Sequence, residues 1–194
     1  MRPALIFATN NQHKVDEIRQ VLSDSFHIMT LKEAGIDIDI PEPHDTLEAN
    51  AREKSTVIHQ LTRQDCFSED TGLEVAALNG EPGVKSARYA GDGRDFQQNI
   101  LKLLEKLEGE PDRSAQFRTV VSLILNNTEY QFEGICKGRI TTAQSGNKGF
   151  GYDPVFIPDG ASVTFADMTM QEKANYSHRA KAVAKLISFL KEQQ

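Results

Sequence analysis

The chain has 194 residues, enough for one ordinary domain with a sizeable buried core. Its 39% hydrophobic and 26% charged residues are those of a globular protein, with no disordered or fibrous bias. A net charge of −6 argues against an electrostatic grip on DNA, RNA or an anionic membrane, although a few focused lysines and arginines would still serve a small anionic ligand. Cys66 and Cys136 lie in apolar, strand-like runs without metal-like spacing and read as buried reduced thiols. The start MRPALIFATNN lacks a basic n-region and a long apolar stretch, and no later run could span a bilayer. The expectation is a cytoplasmic protein with neither a membrane nor a nucleic-acid partner.

The apolar run 4–8 predicts a buried strand, followed by the polar cluster Thr9-Asn10-Asn11-Gln12-His13 and a helix marked by Val15, Ile18 and Leu22. Residues 26–30 suit a second strand, which makes a βαβ opening. Gly35 to Asp45, with two prolines and four carboxylates, reads as an irregular surface loop. Thr46 is a natural N-cap for a helix reaching about Leu61, with Leu47, Ala51, Lys54, Ile58 and Leu61 near one face. A third strand from Cys66 is expected to end in a turn at Glu69-Asp70-Thr71-Gly72. Turns at Gly80, Pro82, Gly83, Gly91 and Gly93 precede a helix over about 94–107, whose stripe is Phe96, Ile100, Leu103, Leu104 and Leu107. Residues 115–125 and 130–140 form a hairpin around Asn126-Asn127-Thr128-Glu129, and 146–154 is a Gly-rich loop. A last helix from about Ser177 turns Val183, Leu186, Ile187 and Leu190 inward. No repeat or linker divides the chain, and this order of elements implies an α/β sheet of mixed direction with helices on its faces.

Four polar clusters sit at the ends of apolar elements, where ligand sites of open α/β sheets gather. Thr9, Asn10 and Asn11 lead a strand into a helix start, which offers amide donors and a positive dipole end to an anion, with Lys14 one turn in. The same residues also make a plain helix cap with a solvent lysine. Glu42, Glu69 and Asp70 form an acidic group; beside a phosphate site such carboxylates call for a divalent cation, held by oxygen ligands, with Mg²⁺ the natural choice. Neighbours on a strand face opposite ways, so Glu69 and Asp70 meet one ion only if the backbone turns there. In Gly149-Phe150-Gly151-Tyr152-Asp153-Pro154, the glycines let the backbone approach a planar ligand, Phe150 can stack on a base, and Pro154 predicts an extended Asp153. Lys173 precedes Ser177-His178-Arg179, where cations in a first helical turn oppose the dipole and imply a nearby anion or acceptor.

The segments FATNNQHKVDEI (7–18), TLEANAREKS (46–55), FSEDTGLEV (67–75), PGVKSARYAG (82–91), GFGYDPVF (149–156) and EKANYSHRAKA (172–182), in this order and nearly end to end, resemble the inosine-triphosphatase-like family of XTP/dITP pyrophosphatases. That resemblance implies a long, mixed, bent sheet flanked by helices, two lobes enclosing an active-site cleft, and a homodimer. It places the triphosphate on Thr9, Asn10, Asn11, Gln12, His13, Lys14 and Lys54. It makes Asp70 the catalytic base, puts Thr71 against the substrate, and gives Mg²⁺ to Glu42, Glu69 and Asp70. The base pocket corresponds to Phe150, Gly151, Tyr152, Asp153, Lys173, His178 and Arg179. The residue before Asn50 is Ala49, where the family pattern carries glutamate.

The activity this implies is hydrolysis of ITP, dITP and XTP to the monophosphate and pyrophosphate, with water attacking the α-phosphorus, which clears these nucleotides from the pool. Hypoxanthine and xanthine carry a 6-keto acceptor where adenine has an amino donor, so His178 or Arg179 can tell them apart. Two rivals are a Maf-like pyrophosphatase, against which GFGYDP and SHR argue, and a nucleotide sensor without catalysis, which needs no poised carboxylate.

Overall fold

The alternation of side chains along a strand sorts this chain's apolar residues between separate cores. In β1 (Ala4–Phe7), Leu5 and Phe7 enter one core while Ile6 and the following Ala8 enter another. The computed structural model describes residues 4–22 and 27–193. After β1 come α1 (Gln12–Leu22), β2 (His27–Thr30), α2 (Leu47–Thr62), β3 (Cys66–Val75), β4 (Pro82–Gly83) and α3 (Phe96–Lys106). Then follow β5 (Ser114–Leu125), β6 (Thr128–Ile140), β7 (Phe156–Pro158), α4 (Met170–Ala174) and α5 (His178–Glu192). Phe26, expected to open the second strand, lies outside the described residues, as does the Leu22 side chain.

The sheet runs β2-β1-β3-β5-β6-β7, with β4 paired to β3. Strands β1/β2 and β1/β3 are parallel, whereas β3/β4 and β6/β7 are antiparallel, so the sheet is mixed as the element order implies. Asn126 and Asn127 both take positive φ, 50° and 63°, the backbone of a tight two-residue hairpin turn between β5 and β6.

The chain divides into two units. The first comprises Met1–Asp70, Thr119–Gly134 and Arg179–Gln194. Its one core joins Leu5, Phe7, Phe67, Val121 and Leu123 to Val15 and Ile18 of α1 and to Ala182, Val183, Leu186 and Leu190 of α5. The Phe7 and Phe67 rings stack at 4.5 Å, nearly parallel. Its other core sets Ile6, Cys66 and Ile124 against Ile58 of α2. The second unit comprises Thr71–Arg118 and Ile135–His178, with a core of Leu73, Val75, Ile100, Leu103, Leu107, Phe117, Phe156 and Phe165.

Several expectations need correction. β3 does not turn at Gly72 but runs on to Val75. Gly72 serves close approach instead: a Cβ there would lie 2.6 Å from the carbonyl oxygen of Gly83, because Leu73 pairs with Gly83 of β4. Leu61 is 59% exposed and off the buried face of α2, which is Leu47, Asn50, Ala51, Lys54, Ser55 and Ile58. The Gly35–Asp45 loop is not all surface, since Ile36 and Ile40 are buried with α2 and anchor it. Asp153 is not extended; it starts a 3-10 turn, Asp153–Val155, in which its carboxylate caps the Phe150 N–H. β4, β7 and α4 are too short for any periodicity to announce them.

Candidate functional site

The alternation that builds the cores also distributes the acidic pair. Glu69 follows Phe67 toward α1 and α5, and Asp70 follows Cys66 and Ser68 toward α2, whose Ala51 and Ser55 carbonyls accept from Ser68 Oγ and Cys66 Sγ. Each carboxylate therefore has its own principal cation, Arg179 for Glu69 and Lys54 for Asp70, while Lys14 acts on both.

On the first face, Arg179 grips Glu69 with two parallel hydrogen bonds, Nε to Oε2 at 2.7 Å and Nη2 to Oε1 at 2.8 Å. Arg179 Nη1 donates to Glu17, and Lys14 Nζ lies 3.0 Å from Glu69 Oε1. Burial favours the neutral form of Glu69, but Arg179 and Lys14 outweigh it and hold the carboxyl far below the usual carboxylate range. Burial likewise opposes the Arg179 charge, and Glu69 and Glu17 overcome it and keep the guanidinium protonated. The nearby anion that a cation at this helix start implies is thus supplied by the protein's own carboxylates. Glu17, which sequence reasoning missed, lies off the Val15–Ile18 stripe of α1, so nothing local in the sequence announces its pairing with Arg179.

On the second face, Lys54 Nζ donates to Glu42 Oε1 at 2.7 Å and to Asp70 Oδ1 at 3.2 Å. Burial opposes the Lys54 charge, but Asp70 and Glu42 raise its pKa. The Asp70 carboxyl is raised from its ordinary value chiefly by burial, which Lys54 and Lys14 only partly offset and to which Glu42 adds a smaller repulsion. Asp70 Oδ2 is buried and has no hydrogen-bond partner among the described residues. Such an oxygen is a destabilising desolvated acceptor unless a proton, a ligand or a cation meets it.

Asn50 fixes the loop that carries Glu42: its side-chain oxygen accepts from His44 N at 2.9 Å, and its amide donates to His44 O at 3.0 Å. The α2 helix is itself tied to the hairpin. Ser55 and Ser122 share a buried hydrogen bond, Ser122 donates to Glu129, and Glu129 pairs with Arg52. Helix α1 begins as both readings of its polar cluster allow: Asn11 Oδ1 accepts from Lys14 N, Thr9 Oγ1 accepts from Asn11 N, and Asn10 donates to Ile38 O. The exposed Gln12 donates to Asp16, and His13 is exposed beside it.

The second unit holds the aromatic loop. Asp153 Oδ2 accepts from Lys173 Nζ at 2.6 Å and from Phe150 N at 2.9 Å. Lys173 Nζ lies 5.2 Å from the ring centres of both Phe150 and Phe165, a cation held against two aromatic rings. Gly149 is obligatory here, with φ of +72° and space so tight that a Cβ would sit 2.0 Å from Asp153 Oδ2. His178 stacks on Phe117 at 4.6 Å. Tyr152 is packed in the core, and its hydroxyl donates to Ser86 O. Thr71 is half-buried in mid-strand, and Gly151 takes φ of +61° with open space around it. Arg179 belongs to the first unit, with Glu69, while Phe150, Asp153, Lys173 and His178 belong to the second.

Among the described residues no three His, Cys, Asp or Glu side chains gather as a ready-made metal centre, and no helix among them is long and apolar enough to cross a membrane. The residues nonetheless fit a hard divalent cation. Asp70 presents an unsatisfied buried oxygen with the Glu42 carboxylate close by, and Mg²⁺ characteristically takes one or two carboxylates and completes its shell with water and phosphate oxygens. Glu69, on the other face of the strand, is engaged by Arg179 and Lys14.

The sequence model of the Ham1 family matches residues 5–189. The chain is 49% identical over 187 residues to the dITP/XTP pyrophosphatase of Flavobacterium psychrophilum, covering 96% of this chain and 98% of that one. It is 50% identical over 187 residues to the dITP/XTP pyrophosphatase of Porphyromonas gingivalis, covering 96% of each. The solved structure of the Staphylococcus aureus Ham1 protein aligns with a TM-score of 0.89 at 37% identity, covering 98% of this chain and all of that one. With likeness in sequence and fold running almost from end to end, the chain belongs to the Ham1 family.

Proposed function

We propose that this chain is a nucleoside-triphosphate pyrophosphatase that cleaves non-canonical purine nucleotides of the ITP, dITP and XTP kind to the monophosphate and pyrophosphate. Its relatives' activity supports the reading, and one observation carries the chemistry: Asp70 is a buried carboxylate with raised proton affinity and one oxygen left unsatisfied. A carboxylate in that condition is suited to take a proton from an attacking water, since a base works best when its pKa moves toward the operating pH. Lys54, held cationic beside it, and Lys14 then neutralise the polyphosphate, together with the amides of the Thr9–Lys14 helix start.

Mg²⁺, held by Asp70 and Glu42, would supply charge neutralisation for the phosphates and acidify bound water. The family resemblance supports the divalent requirement, the homodimer and the cytoplasmic location as parts of this reading. Phe150 takes the base by stacking, with Asp153 fixing Lys173 beside the ring. The Arg179 guanidinium is engaged at all three nitrogens by Glu69 and Glu17, so the keto-reading donor is assigned to His178. An amino group at the 6-position would leave that donor unpaired, a mismatch that discriminates strongly.

The test is a panel of ITP, dITP, XTP, ATP and GTP with Mg²⁺, with and without chelator, resolving pyrophosphate from orthophosphate. Pyrophosphate release from the first three, abolished by chelator, is the expected result. Orthophosphate as product, or ATP turned over as readily as ITP, would overturn the assignment.

A further inference from the structure

We propose that Phe96 is a specificity-determining residue that forms, with Phe150, a two-walled aromatic seat for the purine base. The proposal rests on the reading above that Phe150 is the ring on which the base stacks.

Phe96 occupies the first position of α3, directly after the N-cap Asp95, whose carboxylate accepts from the Gln97 and Gln98 amides. The sequence places it on the apolar stripe of that helix, yet the structure does not use it there. Ile100, Leu103 and Leu107 are buried and anchor α3, whereas Phe96 is 38% exposed and outside the core around Phe117, Phe156 and Phe165. With the helix start already capped and the stripe already anchored, this ring is not required to hold α3 in place.

Its aromatic neighbour is Phe150. The two ring centres lie 6.1 Å apart with planes inclined by 50°, so the rings form an open corner. Phe150 is also contacted by the Lys173 ammonium, which Asp153 fixes, and its backbone is pinned by the Gly149 turn. A flat heteroaromatic ring leaning on Phe150 meets Phe96 as a second wall and can offer it an edge, the tilted arrangement that aromatic pairs favour. Keeping a large apolar ring half exposed gains nothing for folding, and the desolvation it forgoes is recovered when a base covers it. A purine, wider than a pyrimidine, reaches both walls, so Phe96 favours the larger base.

The experiment compares Phe96→Ala, Phe96→Tyr and Phe150→Ala in the full chain, by steady-state kinetics with ITP and by urea unfolding. Phe96→Ala should raise KM roughly three- to tenfold with kcat nearly unchanged, the signature of lost binding rather than lost chemistry. Its urea midpoint should stay close to that of the parent, and Phe96→Tyr should restore KM. An unchanged KM in Phe96→Ala, beside a raised KM in Phe150→Ala, removes the second wall and leaves the base pocket standing. An unchanged KM in both variants overturns the pocket itself. A fall in kcat and in urea midpoint without a change in KM makes Phe96 a structural residue and sinks the proposal.

Discussion

Glu69 and Asp70 are adjacent on β3, yet they leave it toward opposite faces, so that Arg179 grips the first and Lys54 the second, with Lys14 acting on both. Two carboxylates one residue apart would repel strongly on one side of a buried strand. The pleat separates them and gives each a different state. Glu69 is saturated by cations and is a fixed anion of the framework. Asp70, less completely compensated and with Oδ2 unsatisfied, retains the capacity to bind a proton or a cation. Neighbouring titratable groups driven apart by their surroundings are how a site divides structural from chemical roles.

Asp70→Asn should fold, bind nucleotide and lose turnover by roughly two to four orders of magnitude, the usual worth of a general base. The pH signs also follow. A base must be deprotonated, and burial raises the Asp70 carboxyl, so kcat/KM of the parent should fall toward acid from above the ordinary carboxylate range. A carboxyl raised by folding contributes stability that is fully present below its unfolded value and is lost as pH rises through the folded one. Asp70→Asn should therefore unfold at higher urea than the parent at pH 7, and this gain should vanish in acid. Urea midpoints at pH 7 and pH 3, with single-turnover rates, check both claims; undiminished turnover would remove Asp70 from the chemistry.

Glu69→Gln should act the other way. The substitution leaves the buried Arg179 with Glu17 as its remaining carboxylate, and uncompensating a buried pair costs about 3–5 kcal/mol. The Glu69 carboxyl is depressed, so its contribution is fully present above the unfolded value near 4.5 and is lost as pH falls below that. The penalty of the variant, measured by urea unfolding, should be large at pH 7 and shrink steadily under acid conditions. A penalty independent of pH would mean that the pairing is not its source.

Cys66 should be inert. Burial pushes its thiol up to about 12, with Asp65 adding to the shift, so almost no thiolate exists at pH 8. Cys136 is also buried. Native protein should take up no iodoacetamide, and both thiols should label in denaturant. Rapid native labelling would contradict the packing of Cys66 between Ser55 of α2 and the apolar core.

What the sequence reveals depends on how local the cause is. Long elements were legible because period and cap reside in a few neighbouring residues: Thr46 before α2, Asn126-Asn127 in the hairpin, and Val183, Leu186 and Leu190 along α5. The site residues were legible as types at strand ends. Their partners were not, because Arg179 meets Glu69 across 110 positions of sequence and Glu17 across 162. Gly72 misled for a related reason. A glycine after two acids reads locally as a turn, but the need it serves is a backbone from Gly83 pressing on it from a distance. The inward side of Tyr152 was equally hidden, since the Ser86 carbonyl that accepts its hydroxyl lies 66 residues away.

Gly149 offers the sharpest test of the aromatic loop. Its φ of +72° disfavours any side chain by about 1–2 kcal/mol, and a Cβ would lie 2.0 Å from the Asp153 oxygen that binds both the Phe150 amide and Lys173. Gly149→Ala must therefore displace that carboxylate, releasing Phe150 and Lys173 together. Gly151 has a similar φ of +61° but nothing within 4 Å of where a Cβ would stand, so Gly151→Ala bears the backbone cost alone. If the loop serves base binding through Asp153, Gly149→Ala should raise KM for ITP much more than Gly151→Ala does, with comparable kcat in both. Equal effects of the two substitutions would show that backbone strain, rather than the Asp153 cradle, governs the loop.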